Sequence, residues 1–192
     1  MLTAQENETL CRVEGEAPMG RLMRRHWIPA LLSEQVAEPD GRPVRITILG
    51  EKLVAYRDTE GRAGVLGEMC PHRKASLAFG RNENCGLRCL YHGWKMDVDG
   101  NVTDMPSEPK ESGFAERVKH KAYPAREAGG FVWIYMGEPA LMPAFEPPPW
   151  APTRPLFSCC SPPASCIRWS PPCPGSAPPR PAARNSTRCN AC

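Results

Sequence analysis

Two short stretches decide how this chain is read: Cys70-Pro71-His72-Arg73 and, after sixteen residues counted from His72, Cys89-Leu90-Tyr91-His92-Gly93-Trp94. Each offers one soft thiolate and one imidazole, in C-x-H and C-x-x-H spacing, and each is followed by a glycine-containing turn, at Gly80 and Gly93. A lone Cys or His is ordinarily a packing residue. Two loops of this kind facing each other instead build a four-ligand site of two sulfurs and two nitrogens. That donor set suits a tetrahedral zinc ion or a two-iron cluster. Pro71 fixes the backbone between two ligands, and Gly93 lets the main chain come close to whatever is bound.

Outward from these loops the pattern is one of short strands. Val44, Ile46 and Ile48 alternate, as do Leu53 and Ala55, across a hairpin turn at Gly50-Glu51. Further strands are predicted at 63–66, 87–90, 95–98 and 131–135, with turns at Asp58–Gly61 and Asp99-Gly100-Asn101. Short strands with a turn every ten residues or so indicate a small, mostly β body. Before Trp27 the reading is helical over 14–25: Pro18 suits a first turn, Met19, Leu22 and Met23 share a face, and Arg21, Arg24 and Arg25 lie toward the C-terminal end.

Composition divides the 192 residues in two. Residues 1–150 hold 19 basic and all 21 acidic residues, while 151–192 hold five Arg, ten Pro and six Cys with no acid. A formal charge of +3 therefore belongs to the tail, and nothing in the body calls for nucleic acid or an anionic membrane. The longest apolar run is six residues, Phe131 to Met136, against the roughly 20 that a membrane span needs. The start, MLTAQENETLC, lacks the basic-then-apolar order of a secretory signal. A reducing, cytoplasmic setting is expected, in which Cys11 and Cys85 read as buried thiols, and His26 and His120 as surface or satisfied histidines. The tail has too few large apolar residues to offset the entropy of ordering it, so disorder is expected there. Its mixture of Pro, Cys, Ser, Ala and Arg also reads as a GC-rich coding region translated in the wrong frame.

Taken with Ala75-Ser76-Leu77 and Gly80, the two motifs closely resemble a Rieske iron–sulfur domain of the oxygenase type. Respiratory Rieske proteins carry an additional disulfide-forming cysteine in each loop, where this chain has Ala75 and Tyr91, and a serine where it has Trp94. Met19-Gly20-Arg21-Leu22-Met23-Arg24-Arg25, Trp27-Ile28-Pro29-Ala30, Gly86-Leu87-Arg88, Asp104-Met105-Pro106 and Tyr123-Pro124 extend the likeness over roughly residues 1–150. They look like the N-terminal half of a phthalate dioxygenase-like α subunit of an aromatic ring-hydroxylating oxygenase. Lys74 departs from the pattern, which expects a small residue.

The resemblance implies a Rieske-type fold of small antiparallel sheets with two cluster-binding loops, a short N-terminal helix and a disordered C-terminal tail. It implies three parts: a helical extension over 1–26, a Rieske [2Fe–2S] domain over 27–146, and a Pro/Cys-rich tail over 147–192. Cys70 and Cys89 would hold one iron and His72 and His92 the other, at a potential near the lower end of the Rieske range, about −150 mV. As an oxidoreductase component the chain would take electrons from an NAD(P)H-dependent flavin reductase or a ferredoxin, and intact relatives would be trimers. A standalone Rieske ferredoxin and a zinc-bound interaction module are the competing readings. Oxygen chemistry in this family needs a separate mononuclear Fe(II) held by two His and a carboxylate. The chain has four histidines, two of them in the loops and the other two 94 residues apart, so no catalytic residue is assigned.

Overall fold

The computed structural model describes residues 1–151; the expectations placed on the later tail lie outside the described residues. Two helices, α1 (Ala4–Cys11) and α2 (Pro18–Met23), open the chain. Eight strands follow: β1 (Trp27–Leu32), β2 (Val44–Ile48), β3 (Glu51–Arg57), β4 (Ala63–Gly67), β5 (Arg81–Glu83), β6 (Gly86–Arg88), β7 (Lys95–Met96) and β8 (Val102–Asp104). A one-turn helix, α3 (Phe114–Arg117), precedes β9 (Ala122–Tyr123), β10 (Ala125–Ala128) and β11 (Phe131–Tyr135). Among the described residues the strands form three antiparallel sheets, ordered β1-β11-β10, β2-β3-β4-β9 and β5-β6-β7-β8. The mostly β reading of the sequence is the observed fold.

The second sheet is a wall between two cores. Leu53, Ala55 and Val65 point to one side, against Leu31, Val36, Val132, Ile134 and Met136. Val54, Tyr56 and Leu66 point to the other, against Leu77, Leu87, Met96 and the two loop cysteines, Cys70 and Cys89. Burial on both faces explains why β3 reads as an unbroken Leu-Val-Ala-Tyr run where a half-exposed strand would alternate. The third sheet, built from very short strands, carries the second ligand loop at its β6–β7 connection.

The observed turns show what the local sequence controls. The β2–β3 hairpin turns at Leu49-Gly50, one residue before the predicted position, with φ of +48° and +78°. Two consecutive positive φ values suit a primed turn that follows the strand twist. The Asp99-Gly100-Asn101 turn is formed as predicted. Gly100 has φ +81°, and a Cβ there would sit 2.3 Å from the His120 carbonyl oxygen. Gly100→Ala is therefore expected to cost about 2–3 kcal/mol, from left-handed backbone strain plus the collision, read as a lowered denaturation midpoint.

Three differences from the sequence reading have physical causes. The helix expected over 14–25 is only Pro18–Met23, while α1 lies upstream in the stretch read as merely polar. Its signal was a capping box, with Thr3 Oγ1 accepting from Glu6 N–H at 3.2 Å and Glu6 accepting from Thr3 N–H at 2.7 Å. Pro29 hides β1, and the chain tolerates it because β1 is an edge strand with a register shift between Pro29 and Leu31. Cys11 is exposed on α1, against the expectation of a buried thiol, because α1 has no buried residue.

Candidate metal centre

The two motifs fold into loops of the same hydrogen-bonded form although their spacings differ. In the first, the Cys70 carbonyl accepts from Lys74 N–H at 3.0 Å and Cys70 N–H donates to the Ala75 carbonyl at 2.9 Å. In the second, the Cys89 carbonyl accepts from Gly93 N–H at 3.1 Å and Cys89 N–H donates to the Trp94 carbonyl at 2.8 Å. Both loops close with a left-handed residue four places after the cysteine: Lys74 at φ +57° and Gly93 at +76°. That accounts for the departure at Lys74, which stands at the position glycine fills in the other loop. An L side chain there costs about 1 kcal/mol relative to glycine.

The four named side chains come together as two pairs. Cys70 and Cys89 are both buried in the same core cluster. Burial pushes the Cys70 thiol up to about 11, with the neighbouring Cys89 adding to the effect. A cation at the site would reverse this, since thiolate is the ligating form. The imidazoles of His72 and His92 face each other edge-on with ring centres 4.6 Å apart. His72 Nδ1 is buried without a hydrogen-bond partner, as a nitrogen reserved for a ligand bond is. His92 is held below the usual histidine value by lost hydration and then by His72 and Arg73, which favours the neutral, ligating ring.

Ligand atoms around one tetrahedral zinc lie at most about 3.8 Å apart. Among the described residues no three of these four side chains bring ligand atoms within 4.8 Å of one another. A thiol pair and an imidazole pair are the donor layout of a centre with two metal ions, one at each pair.

The surroundings hold the rings and leave the tips open. Trp94, buried, stacks on His72 at 4.7 Å and 5° between planes, and its Nε1–H donates to Ser107 Oγ at 3.3 Å. Leu90 and Tyr91, at the second loop's tip, are more than 60 % exposed, and Arg73 and Lys74 are exposed on the first. His120 is buried and bonds the Gly67 carbonyl through Nε2 at 2.8 Å, and His26 is exposed; both match their expected roles. Asp58, Glu60 and buried Cys85 cluster elsewhere, where Arg62 already pairs with both carboxylates.

Sequence reasoning missed the residues that brace the loops. Arg88 donates to the Gly93 carbonyl at 2.7 Å while pairing with Glu83 at 2.6 Å and Asp104 at 2.8 Å. Glu68 bonds Ser76 at the base of the first loop. Their proximity to the ligands in sequence was visible; the Arg88 pairing depends on β5 and β8, which were not predicted, and the Glu68 pairing on the Met69–Ser76 bridge across the loop neck.

Antiparallel sheets carrying two matched loops, with buried thiols and half-buried imidazoles, are the layout of an iron–sulfur electron-transfer domain. The chain belongs to the Rieske [2Fe–2S] domain family, whose model matches residues 26–124, and a [2Fe–2S] cluster is the cofactor of that domain. It is 64% identical over 152 residues to the phthalate 4,5-dioxygenase oxygenase subunit of Pseudomonas putida, covering 79% of this chain and 35% of that one. It is 49% identical over 143 residues to the 3-chlorobenzoate-3,4-dioxygenase oxygenase subunit of Comamonas testosteroni, covering 74% and 33%. A solved oxygenase–ferredoxin complex of carbazole 1,9a-dioxygenase is similar at TM-score 0.54 and 33% identity, over 75% of this chain and 36% of that one. The chain thus spans about a third of the length of the curated relatives it matches.

Proposed function

We propose that Cys70, His72, Cys89 and His92 hold the [2Fe–2S] cluster, cysteines on one iron and histidines on the other, and that the chain is the electron-transfer part of a ring-hydroxylating oxygenase α subunit. The observation that carries this is the split of the four donors into a buried thiol pair and a half-buried imidazole pair. When bound, the cluster supplies one-electron redox chemistry, made easier by two neutral imidazoles in place of two thiolates. The residues of the chain do the rest. The core around Cys70 and Cys89 excludes water from the thiol end, Trp94 fixes the His72 ring, and the matched backbone turns set where both loops stand.

The donor is a flavin-containing NAD(P)H reductase or a ferredoxin, meeting the exposed tip formed by Leu90 and Tyr91, with Arg73 and Lys74 beside it to attract acidic groups. Among the described residues no helix is long and apolar enough to cross a membrane. The domain is proposed to run over 27–146, and the far boundary is supported by Trp27, whose Nε1–H donates to the Pro143 carbonyl at 3.0 Å and whose ring packs on Phe145 at 5.0 Å. The extension over 1–26 is tied to it by Arg24, which pairs with Glu51 at 2.6 Å.

The deciding experiment is iron and acid-labile sulfide analysis of the anaerobically purified protein, with its visible spectrum before and after addition of a reductase and NADH. Two irons, two sulfides and a spectrum that bleaches on reduction are expected. A colourless protein holding one zinc would refute the proposal.

A further inference from the structure

The first ligand loop is pinched at its base by a buried carboxylate. Glu68 follows β4, two residues before Cys70, and only 4% of it is exposed. Its backbone is fixed on both sides: its N–H donates to the Lys52 carbonyl at 3.1 Å, and its carbonyl accepts from Leu77 N–H at 2.8 Å. Between them, Met69 and Ser76 pair as an antiparallel bridge. The Glu68 carboxylate reaches across this neck to accept from Ser76 Oγ–H at 2.7 Å. Among the described residues one cation pairs with it. Arg45 Nε lies 2.7 Å from the same carboxylate, its Nη2 donates to Ser76 Oγ at 3.2 Å, and the guanidinium sits over the Phe79 ring at 5.1 Å. The two partners differ sharply in solvation: the Arg45 side chain is 51% exposed and that of Glu68 is 5% exposed.

We infer that Glu68 is a positioning residue whose buried negative charge, only partly offset by Arg45, lowers the reduction potential of the centre held by the first loop. Reduction adds an electron to that centre. A fixed negative charge at the neck opposes this, and a fixed positive charge favours it. Because Arg45 is half in solvent, its offset is screened by salt, whereas the Glu68 charge is screened much less. The inference rests on the proposed ligation by Cys70 and His72.

Opposite signs separate charge from mere bracing. Removing either partner loosens the same neck, so a purely structural role would move both variants the same way. Glu68→Gln, which keeps the Ser76 contact, is expected to raise the midpoint potential in a dye-mediated titration. Arg45→Gln is expected to lower it, with a several-fold change in the oxidised-to-reduced ratio at fixed poise that shrinks as salt is added. Arg45 is at the surface and its substitution leaves the core intact, so that variant decides the matter even where Glu68→Gln loads poorly. Unmoved potentials, or shifts of one sign in both variants, would overturn this inference alone. A wild-type protein without an iron–sulfur spectrum would overturn it together with the cluster assignment.

Discussion

His72→Ala and His92→Ala proteins are each expected to lose the assembled two-iron centre, with visible absorption and the electron paramagnetic resonance of the reduced form falling to background. The effect is total because the histidine end has no substitute. The remaining histidines are His120, committed to the Gly67 carbonyl, and exposed His26, which lies before β1 and outside both loops. Removing His72 also removes the ring that stacks on Trp94 and leaves open space where buried Nδ1 stood. Removing His92 takes away a half-buried ring that packs on His72 and Tyr91 but leaves the Trp94 stack in place, so its loss tests ligation with the smaller change in packing. His26→Ala is the control and should load like the wild type. An unchanged spectrum in either loop variant would remove that histidine from the site.

The ligands were legible because metal chemistry constrains residue type and spacing together, and both motifs lie within one segment of the chain. The same holds for the hairpins: β2 carries its own alternation, β3 and the strand 131–135 carry short continuous apolar runs, and Asp99–Asn101 carries its turn residues. What was not legible is tertiary. β5 and β8 span three residues each and carry no period of their own; they exist because neighbouring strands supply their hydrogen bonds. The Arg88 brace depends on those strands and the Glu68 brace on a contact across the loop neck to Ser76, so no local pattern marked either. The equivalence of the two loops was hidden as well. Their motifs read C-x-H and C-x-x-H, yet the backbone closes each at the fourth residue after the cysteine, and only the positive φ at Lys74 and Gly93 shows it.

The second large effect is an absence of product. The purified 192-residue chain, with reductase, NADH, excess ferrous iron and an aromatic acid, is expected to be reduced and reoxidised yet to yield no hydroxylated compound above a protein-free control. Oxygen activation in this family uses an iron bound by two histidines and a carboxylate on one face. Four histidines must serve both centres here, and two lie in the loops. Of the others, His120 is buried with Nε2 bonded to a backbone carbonyl, and freeing it would break the contact that joins the β9 approach to the end of β4. His26 follows α2, 94 residues earlier, and neither histidine stands in a D-x-x-H or H-x-x-x-x-H setting. Electrons delivered to this chain are therefore expected to leave at the imidazole edge, because the two histidines outside the loops do not offer the two-histidine, one-carboxylate setting. Mixing the reduced chain with an oxidised one-electron acceptor such as cytochrome c should discharge it, which separates a competent carrier from an inactive protein. Hydroxylated product in proportion to added chain would show that a second iron site exists and that the histidine assignment is wrong.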